Sequence, residues 1–151
     1  MKKAFIIICI ASFILLYEDL NHFFVLLVVG GFEVEQATQT AFSNSSVDSA
    51  LFIGAFRLIP FVLLISCAAY TRLFESLKGR FSLYISLLVS ILVIFSGYWS
   101  ITAPLYTAEQ ISSTSALSYI FVPIGALFLS VCAGVGSYLL FKVYERVFKR
   151  A

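Results

Sequence analysis

Charge is what this sequence has least of. Asp, Glu, Lys and Arg make up 12% of its 151 residues, against about 25% in soluble domains. No charge at all falls in the 28 residues between Arg80 and Glu109, or in the 32 between Glu109 and Lys142. Each run exceeds the roughly 20 residues a helix needs to cross ~30 Å of hydrocarbon. Other scarcities narrow the chemistry. His22 is the only histidine, and Cys9, Cys67 and Cys132 all sit in apolar runs without a CxxC spacing. That speaks against an outer-face structural disulfide, a redox motif or a zinc site. A nucleophile motif, a Gly-rich phosphate loop and a paired metal motif are likewise missing. We therefore expect no enzyme activity and no cofactor. Nucleic-acid binding is not expected either, since the few basic residues are accounted for by membrane topology and contact with anionic lipid.

What is present is apolar: 61% of the residues are hydrophobic and the mean hydropathy is +1.01. The sequence predicts an all-α membrane protein, a four-transmembrane-helix antiparallel bundle forming one domain over residues 1–151. Helices are expected at about 4–29, 51–71, 81–101 and 116–141, joined by an outer loop over 30–50, a cytoplasmic loop over 72–80 and an outer loop over 102–115. Nine of the ten basic residues fall on one side under this scheme. Lys2 and Lys3 precede the first span, Arg72, Lys78 and Arg80 lie between the second and third, and Lys142, Arg146, Lys149 and Arg150 follow the fourth. The outer loops contain only acids, which by the positive-inside rule puts both termini in the cytoplasm. The start "MKK" and the small size suggest a bacterial inner membrane. A cleaved signal peptide is not expected, because Tyr17 is followed by Glu-Asp-Leu-Asn rather than a small-residue cleavage site.

Aromatic residues mark the proposed boundaries. Tyr98, Trp99, Tyr106 and Tyr119 fall near the outer surface, and Tyr70, Tyr84 and Tyr144 near the inner one, where amphipathic rings sit at headgroup level. Within the 30–50 loop, Gly30-Gly31 ends the first helix and "EVEQATQTAF" has the pattern of a short surface helix. Asn44-Ser45-Ser46 matches a glycosylation acceptor, an accidental match in a bacterial chain. Small residues recur at helical spacing: Ser82, Ser86 and Ser90 in the third span, Ala126, Ser130 and Gly134 in the fourth. In lipid such faces permit close backbone approach and hydroxyl hydrogen bonds, so these two are expected to pack. Pro60 and Pro123 lie inside predicted helices and should perturb them.

The first span is interrupted by "LLYEDLNHFFVLL", residues 15–27. A carboxylate at a span's centre costs about 2.5–3.5 kcal/mol, and each Leu, Ile, Phe or Val returns about 0.3–0.6. Residues 4–29 contain seventeen of the latter, roughly 5–10 kcal/mol against roughly 5–7 for Glu18 and Asp19. One continuous helix is therefore expected to insert. At about 100° per residue, Glu18, Asp19, Asn21 and His22 occupy one side of it, which must face the protein interior. Arg57, about 9 Å into the second span, is the counter-charge. We expect an Arg57–carboxylate pair with Asn21 and His22 as further partners, serving either to fasten two helices or to carry a proton or cation.

A membrane-embedded Glu18 in the first of four helices resembles the small multidrug resistance transporters. Four spans with both termini inside are similar to the immunity proteins that protect bacterial membranes from pore-forming colicins. These likenesses concern layout and imply no residue roles. The leading expectation is a non-enzymatic interaction or accessory protein of immunity type. It would bind another membrane or secreted protein, or itself, through intramembrane helix faces and the 30–49 loop. The alternative is a small proton- or cation-coupled transporter or channel component using the Glu18, Asp19, His22 and Arg57 cluster.

Overall fold

The computed structural model describes residues 2–43, 47–107 and 115–148. Among these residues there are no strands, and 92% are helical. The helices are α1 (Lys2–Leu15), α2 (Glu18–Val28), α3 (Val34–Ser43), α4 (Val47–Tyr70), α5 (Leu77–Thr102) and α6 (Ser115–Phe148), with short 3-10 turns at Arg72–Glu75 and Ala103–Tyr106. The Asn44-Ser45-Ser46 match, Glu109 and the basic pair Lys149 and Arg150 lie outside the described residues. Three segments, Leu51–Tyr70, Leu77–Tyr106 and Leu117–Val147, are long and apolar enough to cross a membrane. The pair α1 and α2 qualifies as a fourth if it forms one span.

That pair corrects the expectation of one helix over 4–29, because the two halves are bent by 59°. The chain breaks at Leu16 and Tyr17, where Tyr17 adopts an extended backbone (φ −58°, ψ 135°). The break has a physical cause. It moves Glu18 and Asp19 from mid-helix to the first turn of α2, where orphan N–H groups and the helix dipole favour negative charge. It also takes the Leu16 carbonyl out of the helical ladder, and Arg57 Nη1 donates to it at 2.9 Å.

Gly31 has φ +66°, a conformation that favours glycine. The turn it makes folds α3 back onto α2, where Ala37 and Ala41, one helical turn apart, are buried against Leu26. The remainder of α3 is exposed.

The segment 72–80 is not a simple loop. Thr71 Oγ1 accepts from the Leu73 N–H at 3.4 Å and Ser76 Oγ from the Gly79 N–H at 3.1 Å, so the turn is capped and α5 already begins at Leu77. At Gly79 any Cβ would collide with the Leu73 carbonyl. The last helix is longer than the expected 116–141, reaching Phe148. Pro60 and Pro123 lie buried within α4 and α6.

The most extensive packing joins α5 and α6. Lys78 Nζ lies 3.4 Å from Glu145, Ser82 bonds Gly134, and the Tyr98 and Tyr119 rings are 5.4 Å apart. The two helices therefore run in opposite directions. A core of Phe5 and Cys9 from α1, Phe61 and Leu64 from α4, and Leu87 and Ile94 from α5 closes the interior.

Candidate functional site

The bend between α1 and α2 places Glu18 against α4. Arg57 Nη1 donates to Glu18 Oε2 at 2.5 Å as well as to the Leu16 carbonyl. Arg57 is 3% exposed, and its guanidinium lies 4.9 Å from the Phe13 ring centroid and 5.2 Å from that of Tyr17. Two aromatic faces thus receive a largely buried cation. The acid that Arg57 takes is Glu18; among the described residues it forms no ion pair with Asp19.

Asn21 and His22 do not join this pair, and the expectation that they would is corrected. Asn21 Nδ2 donates to the Phe95 carbonyl at 3.3 Å, tying α2 to α5. His22 Nε2 and Tyr106 Oη are 2.7 Å apart, with their rings stacked at 5.8 Å. The reason is register. His22 stands four residues, about 6 Å, beyond Glu18 along α2, while the nitrogen of Arg57 that reaches this helix is already held by Leu16 and Glu18 below it. Three of the four polar residues of α2 thus serve three different neighbours: Glu18 takes Arg57, Asn21 takes Phe95 and His22 takes Tyr106.

Several polar atoms near this pair are buried without a hydrogen-bond partner among the described residues: Glu18 Oε1, Asp19 Oδ2, Asn21 Oδ1 and Arg57 Nε. The Ser90 and Tyr98 hydroxyls of α5 share that condition. Buried polar groups are normally satisfied, and each lapse costs about 1–3 kcal/mol. The Tyr98 hydroxyl lies within electrostatic range of both Arg57 and Glu18.

Tyr98 and Tyr106 are the residues that a reading as interfacial anchors missed. Tyr98 is 1% exposed and faces inward; Tyr106 is the partner of His22. A sequence signal for Tyr98 existed. Ser82, Ser86, Ser90, Ile94, Tyr98 and Thr102 follow a strict four-residue spacing, and all are buried.

The small-residue faces of α5 and α6 meet. Ser82 Oγ donates to the Gly134 carbonyl at 2.6 Å, and a Cβ on Gly134 would collide with Ser86 Oγ. Ala126 is fully buried, and Ser130 Oγ donates within its own helix to the Leu127 carbonyl at 2.9 Å. These serines therefore pack helices and do not line an open path.

Among the described residues, two grooves flank the packed helices. One, of about 840 Å³, runs between the α1–α2 bend and α4 with Arg57 in its wall. The other, of about 640 Å³, lies beside the end of α6, against Phe81. No group of three or more His, Cys, Asp or Glu side chains among the described residues is placed to hold a metal ion. No protein-family model matches this sequence, no curated protein is similar to it, and no solved structure matches it.

Proposed function

We propose that this chain is a four-span protein of a bacterial inner membrane, an antiparallel bundle with both termini in the cytoplasm. In this reading it acts without catalysis, as an interaction or accessory subunit of immunity type. The bent pair α1–α2 is its first span. The side to which nine of ten basic residues sort supports this orientation.

The observation that carries the partner reading is the end of α6. A 34-residue helix is about 51 Å long and outruns ~30 Å of hydrocarbon. Its last turns, which carry Lys142, Glu145 and Arg146, still expose Leu140, Val143 and Val147 at helical spacing. With Phe81 they border the 640 Å³ groove. An exposed apolar stripe that continues among these charged residues fits the helix of another membrane protein or of a second copy. The exposed face of α3, in the 30–49 loop, offers a second contact on the opposite side. A photo-reactive residue at Val143 should form a discrete adduct with one membrane protein, and Leu140→Lys should abolish it. No adduct, or one indifferent to the lysine, overturns the reading.

A second reading rests on the unsatisfied oxygens of Glu18, Asp19 and Asn21. Buried acceptors in excess of donors suit a transported proton or cation. In proteoliposomes Glu18→Gln or Asp19→Asn would then abolish pH-dependent flux while the protein stays folded. Flux equal to that of empty vesicles removes this alternative.

A further inference from the structure

The groove between the bend and α4 is formed by Phe13, Ile14, Tyr17 and Leu20 on one side, and by Leu51, Gly54, Ala55 and Leu58 on the other. Among the described residues, the only charged group in its wall is Arg57. At about 840 Å³ it falls within the range of roughly 300–1,000 Å³ typical of small-molecule sites. Ile14, Leu51 and Leu58 are exposed at its rim, so it opens sideways.

Arg57 brings five N–H donors. Nη1 serves Leu16 and Glu18, whereas Nε is buried without a partner. Nη2 makes no hydrogen bond to an acceptor among the described residues, and it borders the groove: a Cβ on Gly54 would stand 3.9 Å from it. A guanidinium this deeply buried with donors unspent is costly, and an occupant bringing an acceptor relieves that cost. The charge balance selects the kind of acceptor. Glu18 already neutralises Arg57, and Asp19 stands next to it in sequence, so the site carries no net positive charge with which to attract an anion. A neutral carbonyl fits. Depth selects further: Arg57 lies six residues past Leu51, about 9 Å along the helix. Ester carbonyls of bilayer lipids stay at the headgroup boundary. A carbonyl at Arg57 belongs to a molecule dissolved in the hydrocarbon, and the Phe13 and Tyr17 rings beside the guanidinium suit a flat conjugated ring.

We propose that the groove between the α1–α2 bend and α4 binds a lipid-dissolved quinone-class compound, its ring carbonyl accepting a hydrogen bond from Arg57 and its tail lying along Leu51 and Leu58. The inference is independent of the α6 partner surface.

The test uses the full chain in phosphatidylcholine nanodiscs, with labelled decyl-1,4-benzoquinone as the probe and empty nanodiscs as the reference. Saturable binding of one molecule per chain is expected. Gly54→Leu, which fills the groove without removing Arg57 or Glu18, should weaken binding at least tenfold. Gly136→Leu, at a position with open space around it, should leave it unchanged. If Gly54→Leu does not fold, judged by circular dichroism, Ala55→Phe is read in the same way. Retention equal to empty nanodiscs, or saturable binding indifferent to both groove variants, overturns the proposal. So does co-purified phospholipid that the quinone cannot displace, since the groove is then a site for bilayer lipid.

Discussion

Arg57 and Glu18 show what a buried charge asks of its surroundings. Removing one member of such a pair leaves the other uncompensated and costs about 3–5 kcal/mol. Arg57→Ala should therefore lower stability by about that much, read as loss of the folded fraction on titration with denaturing detergent. The double replacement Glu18→Leu with Arg57→Met should recover most of the loss, because it leaves no charge behind. No loss on Arg57→Ala would show that water or lipid headgroups already reach the site. Gly134 offers a steric counterpart. Gly134→Ala drives a methyl into Ser86 Oγ and should destabilise by about 1–3 kcal/mol. Adding Ser86→Ala removes the colliding oxygen, leaving Ser82 Oγ at 3.5 Å as the nearest atom, and should restore stability. Absence of that rescue would place the α5–α6 contact elsewhere.

At the scale of elements, the turn before α5 depends on one backbone approach. Gly79→Ala would gain helix propensity in isolation, about 1 kcal/mol, yet here its methyl meets the Leu73 carbonyl. Net destabilisation is expected, together with faster tryptic cleavage after Arg72 and Lys78; slower cleavage would mean that the cap survives. Two of the three long apolar helices were legible from uncharged runs of 28 and 32 residues, which have few alternatives to a membrane helix, and the third from its apolar length despite Arg57. The bend at Leu16 and Tyr17 was not. Insertion arithmetic sums over a whole segment and is blind to where hydrogen bonding stops. A pair of acids in mid-run is equally consistent with a tolerated helix interior and with a fresh N-terminus. The destination of His22 was hidden for another reason: its partner Tyr106 lies 84 residues away, and helix phase alone names a side, not a neighbour. Tyr98 was misread because a ring that anchors at an interface and a ring that fills a core occupy similar places along a span. The four-residue spacing shared with Ser82, Ser86 and Ser90 decides between them.

For the whole molecule, the proposed orientation makes opposite claims about two exposed residues. On a cysteine-free background, Gln36→Cys in α3 should react with an impermeant maleimide in intact spheroplasts, and Glu75→Cys only after the membrane is opened. The reverse pattern would invert the topology, and equal labelling would mean that the chain does not span as four segments. In either orientation the charged pair lies nearer the α3 end of α4 than the Arg72–Glu75 end.

The 59° bend has a mechanical meaning beyond its chemistry. Its lower arm is fastened to α4 through the Leu16 carbonyl and Arg57, and its upper arm to α5 through Asn21 and the Phe95 carbonyl. The joint is held at two points by two different helices. Arg57 also holds Glu18 across the break, so a displacement of α4 would pull on both arms, while α5 restrains the upper one through Asn21. Movement of either neighbour would therefore be felt at this one joint, between Leu16 and Glu18.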